Sequence, residues 1–123
     1  MNRKVIEFEA NEQELKRKGA LIELASGTRH YLIASFDLGN NWHSFDQINA
    51  VWYNGYAEEA VPLDEEANCF IPASVLDSIG TVTVNLEGIT GGIRERLTTK
   101  PTEAAKITAL ATVEADEPEP IRV

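Results

Sequence analysis

The segment TVTVNLE, residues 81–87, alternates apolar and polar side chains at almost every step. Val82, Val84 and Leu86 point one way; Thr81, Thr83, Asn85 and Glu87 point the other. A period of two places one face of a strand in a core, whereas a helix would scatter these residues around its axis. The same period recurs along the chain. In RKVIEFE, Ile6 and Phe8 oppose Val5, Glu7 and Glu9, and in ALIEL, Ala20, Ile22 and Leu24 oppose Leu21 and Glu23. RHYLIASFDL places Leu32, Ala34, Phe36 and Leu38 on one face. INAVWYN sets Ile48, Ala50 and Trp52 against Asn49, Val51 and Tyr53.

The breaks between these runs carry turn chemistry. Ser26-Gly27-Thr28 separates ALIEL from RHYLIASFDL and predicts a hairpin between them. Asn54-Gly55 predicts a tight turn returning into YAEEAVPL, with Pro62 on an edge or at a strand end, where its missing N–H is harmless. After the acidic turn Asp64-Glu65-Glu66, CFIP is extended. Residues 72–79 read as one or two helical turns: Pro72 starts them, Val75, Leu76 and Ile79 cluster at helical spacing, and Gly80 ends them. Thr90-Gly91-Gly92 turns TVTVNLE into IRERLTT, with Ile93 and Leu97 facing inward. KITALATVEA is ambiguous between strand and helix, and its Thr, Ile and Val content favours strand. Short strands, tight turns and one small helical piece predict an all-β fold, an antiparallel β-sandwich of about seven to eight strands with one short helical turn. The sandwich is expected over residues 1–113, with residues 114–123 an acidic, proline-containing tail or linker.

A chain of 123 residues with 43% hydrophobic content suits one domain with a core that needs no metal or disulfide. A single cysteine, Cys69, excludes an internal disulfide framework and a Cys-rich zinc site. The formal charge is −9, and it is unevenly spread. Residues 1–30 hold six Lys/Arg and five Asp/Glu; residues 31–93 hold none and nine; residues 94–123 hold five and six. An acidic middle of that kind repels phosphate backbones and argues against nucleic acid as a partner. No apolar run reaches the roughly 20 residues of a membrane span. MNRKVIEFEA turns acidic too soon for a signal peptide, so a soluble protein, kept in the producing cell or released by lysis, is expected.

Catalytic signatures are sparse. GITGG lacks the Lys-Ser/Thr of a phosphate loop and joins two strands, and no G-x-S-x-G elbow occurs. Cys69 reads as a small buried hydrophobe rather than a nucleophile. His30 and His43 would need to meet, with Asp37 or Asp46, to bind zinc; exposed or capping histidines are the expectation. The run Asp64-Glu65-Glu66 reads as a solvated turn rather than a calcium loop. No catalytic residue, metal or cofactor is therefore expected. The stretch 37–55, DLGNNWHSFDQINAVWYNG, holds both tryptophans and offers two readings. Trp52 shares a face with Ile48 and Ala50, which is a core pattern. Trp42 and Phe45, three apart, suit a loop plugging the end of the sandwich. Core and lid packing is favoured over a ligand platform, and Tyr31, Tyr53 and Tyr56 remain for exposed contacts.

The order of these motifs, FDLGNNW…INAVWYNG, then CFIPASVLDSIG, then TVTVNLEG…RERLTT, then a strand running into an acidic tail, resembles a known family over roughly residues 30–120. It is similar to the N-terminal Ig-like β-sandwich domain of tail and baseplate proteins in phages and prophages of Gram-positive bacteria. The resemblance implies a non-enzymatic attachment module located in the virion, or in the bacterial cytoplasm before lysis. Because the sequence stops at the linker, it implies a fragment or a stand-alone accessory protein, and docking rather than host binding. Partners would be proteins, either further copies of the chain or other virion components, met through an apolar patch or a strand edge. Arg3, Lys4, Tyr53, Tyr56, Arg94 and Arg96 are the candidate contact residues. The basic ones would meet the acidic middle of a neighbouring copy. The alternative is a carbohydrate-binding sandwich using Tyr53, Tyr56 and Trp42 on cell-surface glycans.

Overall fold

A computed structural model describes residues 4–25, 32–98 and 100–108. In chain order they form β1 (Lys4–Asn11), β2 (Glu14–Arg17), β3 (Ile22–Ala25), β4 (Leu32–Leu38) and a 3-10 turn (Asn40–Trp42). Next come β5 (Gln47–Asn54), β6 (Ala57–Pro62), β7 (Asn68–Phe70), helix α1 (Ala73–Leu76), β8 (Gly80–Thr90), β9 (Ile93–Leu97) and β10 (Thr102–Thr108). One sheet has the order β2-β1-β4-β7; the other runs β3-β10-β8-β5-β6, with β9 also on β8. The all-β sandwich expected from the alternation is present. Within the long C-terminal run KITALATVEA, residues 106–108 are strand; its remainder, the acidic tail, the Ser26-Gly27-Thr28 break, His30 and Tyr31 lie outside the described residues.

Two features depart from the purely antiparallel expectation. β1 pairs with β4 in parallel, from Lys4↔Leu32 to Ala10↔Leu38, and β3 pairs with β10 in parallel. Both sheets are therefore mixed. Accordingly β3 and β4 do not form the predicted hairpin; they belong to opposite sheets. The parallel register explains the choice. It sets Ile6 beside Ala34, Phe8 beside Phe36 and Ala10 beside Leu38, so the apolar faces of both strands meet the core together. Strand β2, ELKR, has a single apolar residue and little pattern; Leu15 opposite Ala10 holds it to β1.

The core lies between the sheets. Phe8 stacks on Phe36 with ring centroids 5.0 Å apart, and Trp52 from the facing sheet meets Phe8 edge-on at 6.5 Å. Trp52, Val82, Val84 and Leu86 are all at 0% exposure, as the alternation of β5 and β8 predicts. Along one side the sheets are tied by Thr102 Oγ1 donating to Leu15 O and Arg17 Nη1 donating to Glu103 O, both at 2.6 Å. β9 and β10 both pair with β8, and Thr98 spans the gap between them: its N–H donates to Leu86 O, and its hydroxyl receives Leu86 N–H while donating to Asn85 Oδ1.

The turns follow their residues. Gly55 at φ +61° opens the two-residue loop between Asn54 and Ala57, as a glycine-first hairpin turn requires. Pro62 closes β6, an edge strand, opposite Asn49. Two expectations need correction. The helix is only Ala73–Leu76, because the buried Asn54 amide donates to the carbonyls of Val75 and Ser78 and ends it there. Ile79 is then 66% exposed, and Gly80 starts β8 instead of ending the helix. Ile93 is 68% exposed rather than inward, since it pairs with Thr90 at the hairpin tip; Leu97 is partly buried.

Gly88 in β8 is a seat for Phe45: a Cβ there would stand 2.5 Å from the Phe45 ring. Gly88→Ala must displace that ring, so the variant is expected to lose about 1–3 kcal/mol of stability in urea unfolding. An unchanged midpoint would mean that Phe45 swings aside without cost.

Candidate interaction surfaces

The aromatic stretch 37–55 packs inward. Trp42 and Trp52 are both at 0% exposure, so neither indole is offered to a ligand. Trp42 meets Phe45 edge-on at 5.5 Å, forming the predicted plug at the end of the sandwich. The plug has a clamp that sequence reading missed. The Arg96 guanidinium lies 5.4 Å from the Trp42 ring and 5.1 Å from the Phe45 ring, and its Nη1 donates to Asn41 O at 2.7 Å. A cation over two aromatic faces on one strand and a loop far away in sequence leaves no local signal.

The six candidate contact residues do not converge. Arg3 is outside the described residues. Lys4 is exposed at the start of β1. Tyr56 is fully exposed at the β5–β6 turn, while Tyr53 is half-buried with its hydroxyl 3.5 Å from Asn85 Nδ2. Tyr53 pairs with Thr83 and Arg94 with Ile89, so they sit at opposite ends of β8, roughly 20 Å apart. Arg94 and Arg96 read in sequence as a basic edge, but both are engaged within the chain. Arg94 Nε contacts Glu87 Oε1 at 3.0 Å. Glu87 Oε2 in turn accepts from Asn49 Nδ2, and Asn49 Oδ1 accepts from Gln47 Nε2. This chain of polar side chains covers the outer face of β5 and β8.

A groove of about 630 Å³ opens beside the plug. Its apolar lining comes from Phe36, Leu38, Phe45, Ile48 and Leu63. Exposed carboxylates of Asp37, Asp46, Asp64, Glu65 and Glu66 border it, with His43. Asp64 acts as a turn cap rather than a metal ligand: its Oδ1 accepts the N–H groups of Glu66 and Asn68. Asp46 similarly accepts from Gly91 N, fixing the β8–β9 tip. Among the described residues, no group of three or more His, Cys, Asp or Glu is placed to hold a metal ion.

Cys69 is buried in β7, and removal from water pushes its thiol up to about 12, opposed by the Trp52 indole beside it and helped by the Asp64 charge. A thiol so placed stays protonated and inert at neutral pH.

Two outcomes follow. Arg96→Met removes the charge and the bond to Asn41 O; it is expected to cost about 1–2 kcal/mol and to speed amide exchange at Trp42 and His43. Exchange unchanged at those amides would mean that Arg96 does not hold the plug. Cys69 resists disulfide reagents until the protein unfolds. Its raised pKa gives full stability below the ordinary thiol value of 9.0 and a progressive loss as pH rises from there toward about 12, because the unfolded thiol ionises first. Removing the thiol with Cys69→Ala should flatten that alkaline loss in pH-dependent denaturation.

No protein-family model matches the sequence, and a search of curated proteins finds no match. Among solved structures, the N-terminal domain of phage TP901-1 ORF48 is similar, with a TM-score of 0.53 and 14% sequence identity over 87% of this chain and 98% of that one. At that identity the likeness is one of fold: this chain shares the architecture of a phage protein's N-terminal domain.

Proposed function

We propose that this chain is a non-enzymatic virion module of the tail or baseplate type, which attaches or assembles through protein–protein contacts. The observation that carries this reading is the fold shared with the phage N-terminal domain over nearly all of that domain. The motif order read from the sequence supports the same family. A non-catalytic role is favoured by the chemistry of the described residues. The cysteine is buried with its thiol pushed up, and the exposed carboxylates around the groove sit on turn caps and rims. A glycan-binding module, the competing reading, would stack sugars on exposed rings; both tryptophans are sealed in the core, leaving Tyr56 as the one fully exposed ring among the described residues.

The test uses phage particles from a host whose prophage carries the gene. Purified particles are probed for the chain by mass spectrometry and by antibody labelling in electron micrographs. The expected result is a fixed stoichiometry at the tail end. Particles that assemble and infect normally without the chain, and never contain it, would overturn the proposal.

A further inference from the structure

The groove beside the plug carries a more specific assignment. We infer that it docks a basic, partly apolar segment of a partner protein, an extended run in which Lys or Arg alternates with apolar side chains. This inference rests on the attachment reading above and supplies its chemistry.

Three observations point to that occupant. The first is shape: about 630 Å³ bounded by half-buried Leu38, Phe45, Ile48 and Leu63 suits several side chains and is too large and open for an ion. The second is charge. Five carboxylates border the groove and no Lys or Arg lines it. Asp37 is shared with Lys18 at 3.2 Å, but among the described residues Glu65 and Glu66 have no ionic or hydrogen-bonded partner for their carboxylates. An apolar floor with an anionic rim matches a segment that inserts apolar groups and leaves cationic ends at the edge.

The third observation concerns the chain's own cations. Arg17, Lys18, Arg94 and Arg96 are engaged internally, with Glu103 O, Asp37, Glu87 and the Trp42/Phe45 rings respectively, while the exposed Lys4, Lys100 and Lys106 lie away from the groove. Copies that each carry −9 repel one another. A different, basic protein is therefore favoured over a second copy. A sugar is disfavoured because the Trp42 ring is covered by Arg96 and fully buried.

The probe is a fluorescein-labelled octapeptide of alternating Lys and Leu, followed by anisotropy and by amide chemical shifts of the intact chain. Alternating Lys/Ser and Glu/Leu octapeptides are the controls. Saturable Lys/Leu binding is expected, with shifts confined to residues 43–48 and 63–67, weakening on going from low to high salt. The double variant Glu65→Gln/Glu66→Gln should bind about ten-fold more weakly, and the charge-matched Glu58→Gln/Glu95→Gln should stay within about two-fold of the parent. The inference is overturned by equal losses in the two variants, by Lys/Ser bound as tightly as Lys/Leu, or by shifts spread over the whole acidic surface. Light scattering that shows a dimer broken by Glu65→Gln/Glu66→Gln would also overturn it, by giving the groove to a second copy. Presence of the chain in particles without peptide binding rejects the groove assignment alone; peptide binding by a chain absent from particles rejects the virion reading alone.

Discussion

The contact of Phe8, Phe36 and Trp52 across the sandwich is the constraint on which the remaining architecture turns. Phe8 and Phe36 stand side by side only because β1 and β4 pair in parallel without a slip. A shift of one residue would turn Ile6, Phe8 and Ala10 to solvent together. Trp52 closes the contact from the other sheet and carries a cost, since its Nε1–H is buried without a hydrogen-bond partner. That cost is about 1–3 kcal/mol. Burying about 200 Å² of indole returns about 5 kcal/mol at 25 cal/mol per Å². Burial wins, and the Cys69 sulfur beside the ring is the weak acceptor toward which the indole N–H points.

Which strands exist was legible where apolar residues alternate with polar ones. β1, β4, β5 and β8 satisfy that condition, and their inward residues were read correctly, Trp52 included; that the polar residues on the outer face of β5 and β8 are themselves covered was not legible. Which strands pair was not legible, because parallel neighbours such as β3 and β10 are separated by most of the chain, and alternation is silent about partners. β2 escaped notice because ELKR has one apolar residue, and the helix was overextended because Asn54, some twenty residues upstream, terminates it. The groove is assembled from residues 36–38, 42–48 and 63–67, three segments with no shared motif. Arg96 looked like a free surface cation for the same reason: its aromatic partners lie more than fifty residues away.

Polar residues on the outer face of β5 and β8 illustrate why exposed strand faces differ as docking candidates. Asn49, Asn85 and Glu87 are 7%, 6% and 8% exposed, and each has a partner already. A docking protein would have to break those bonds to form its own, with little net gain. The groove rim differs, because the Glu65 and Glu66 carboxylates give up only water on binding. Net charge alone, spread over the surface, would not make this distinction; whether each polar group already has a partner does.

Phe45 joins this candidate site to the core. Its ring forms one wall of the groove, packs edge-on against Trp42, rests on Gly88 and lies under Arg96. A wall held on three sides has little freedom left to lose when a partner arrives, so less binding energy is spent on ordering it. The same contacts run in reverse. A partner that presses on Phe45 favours the state in which Trp42 and Arg96 are seated, and by linkage it stabilises the closed end of the sandwich in proportion to its affinity. Loop residues 39–46 thus need no fold of their own. They take their order from the core beneath and pass it to the groove wall, where the proposed partner would meet it.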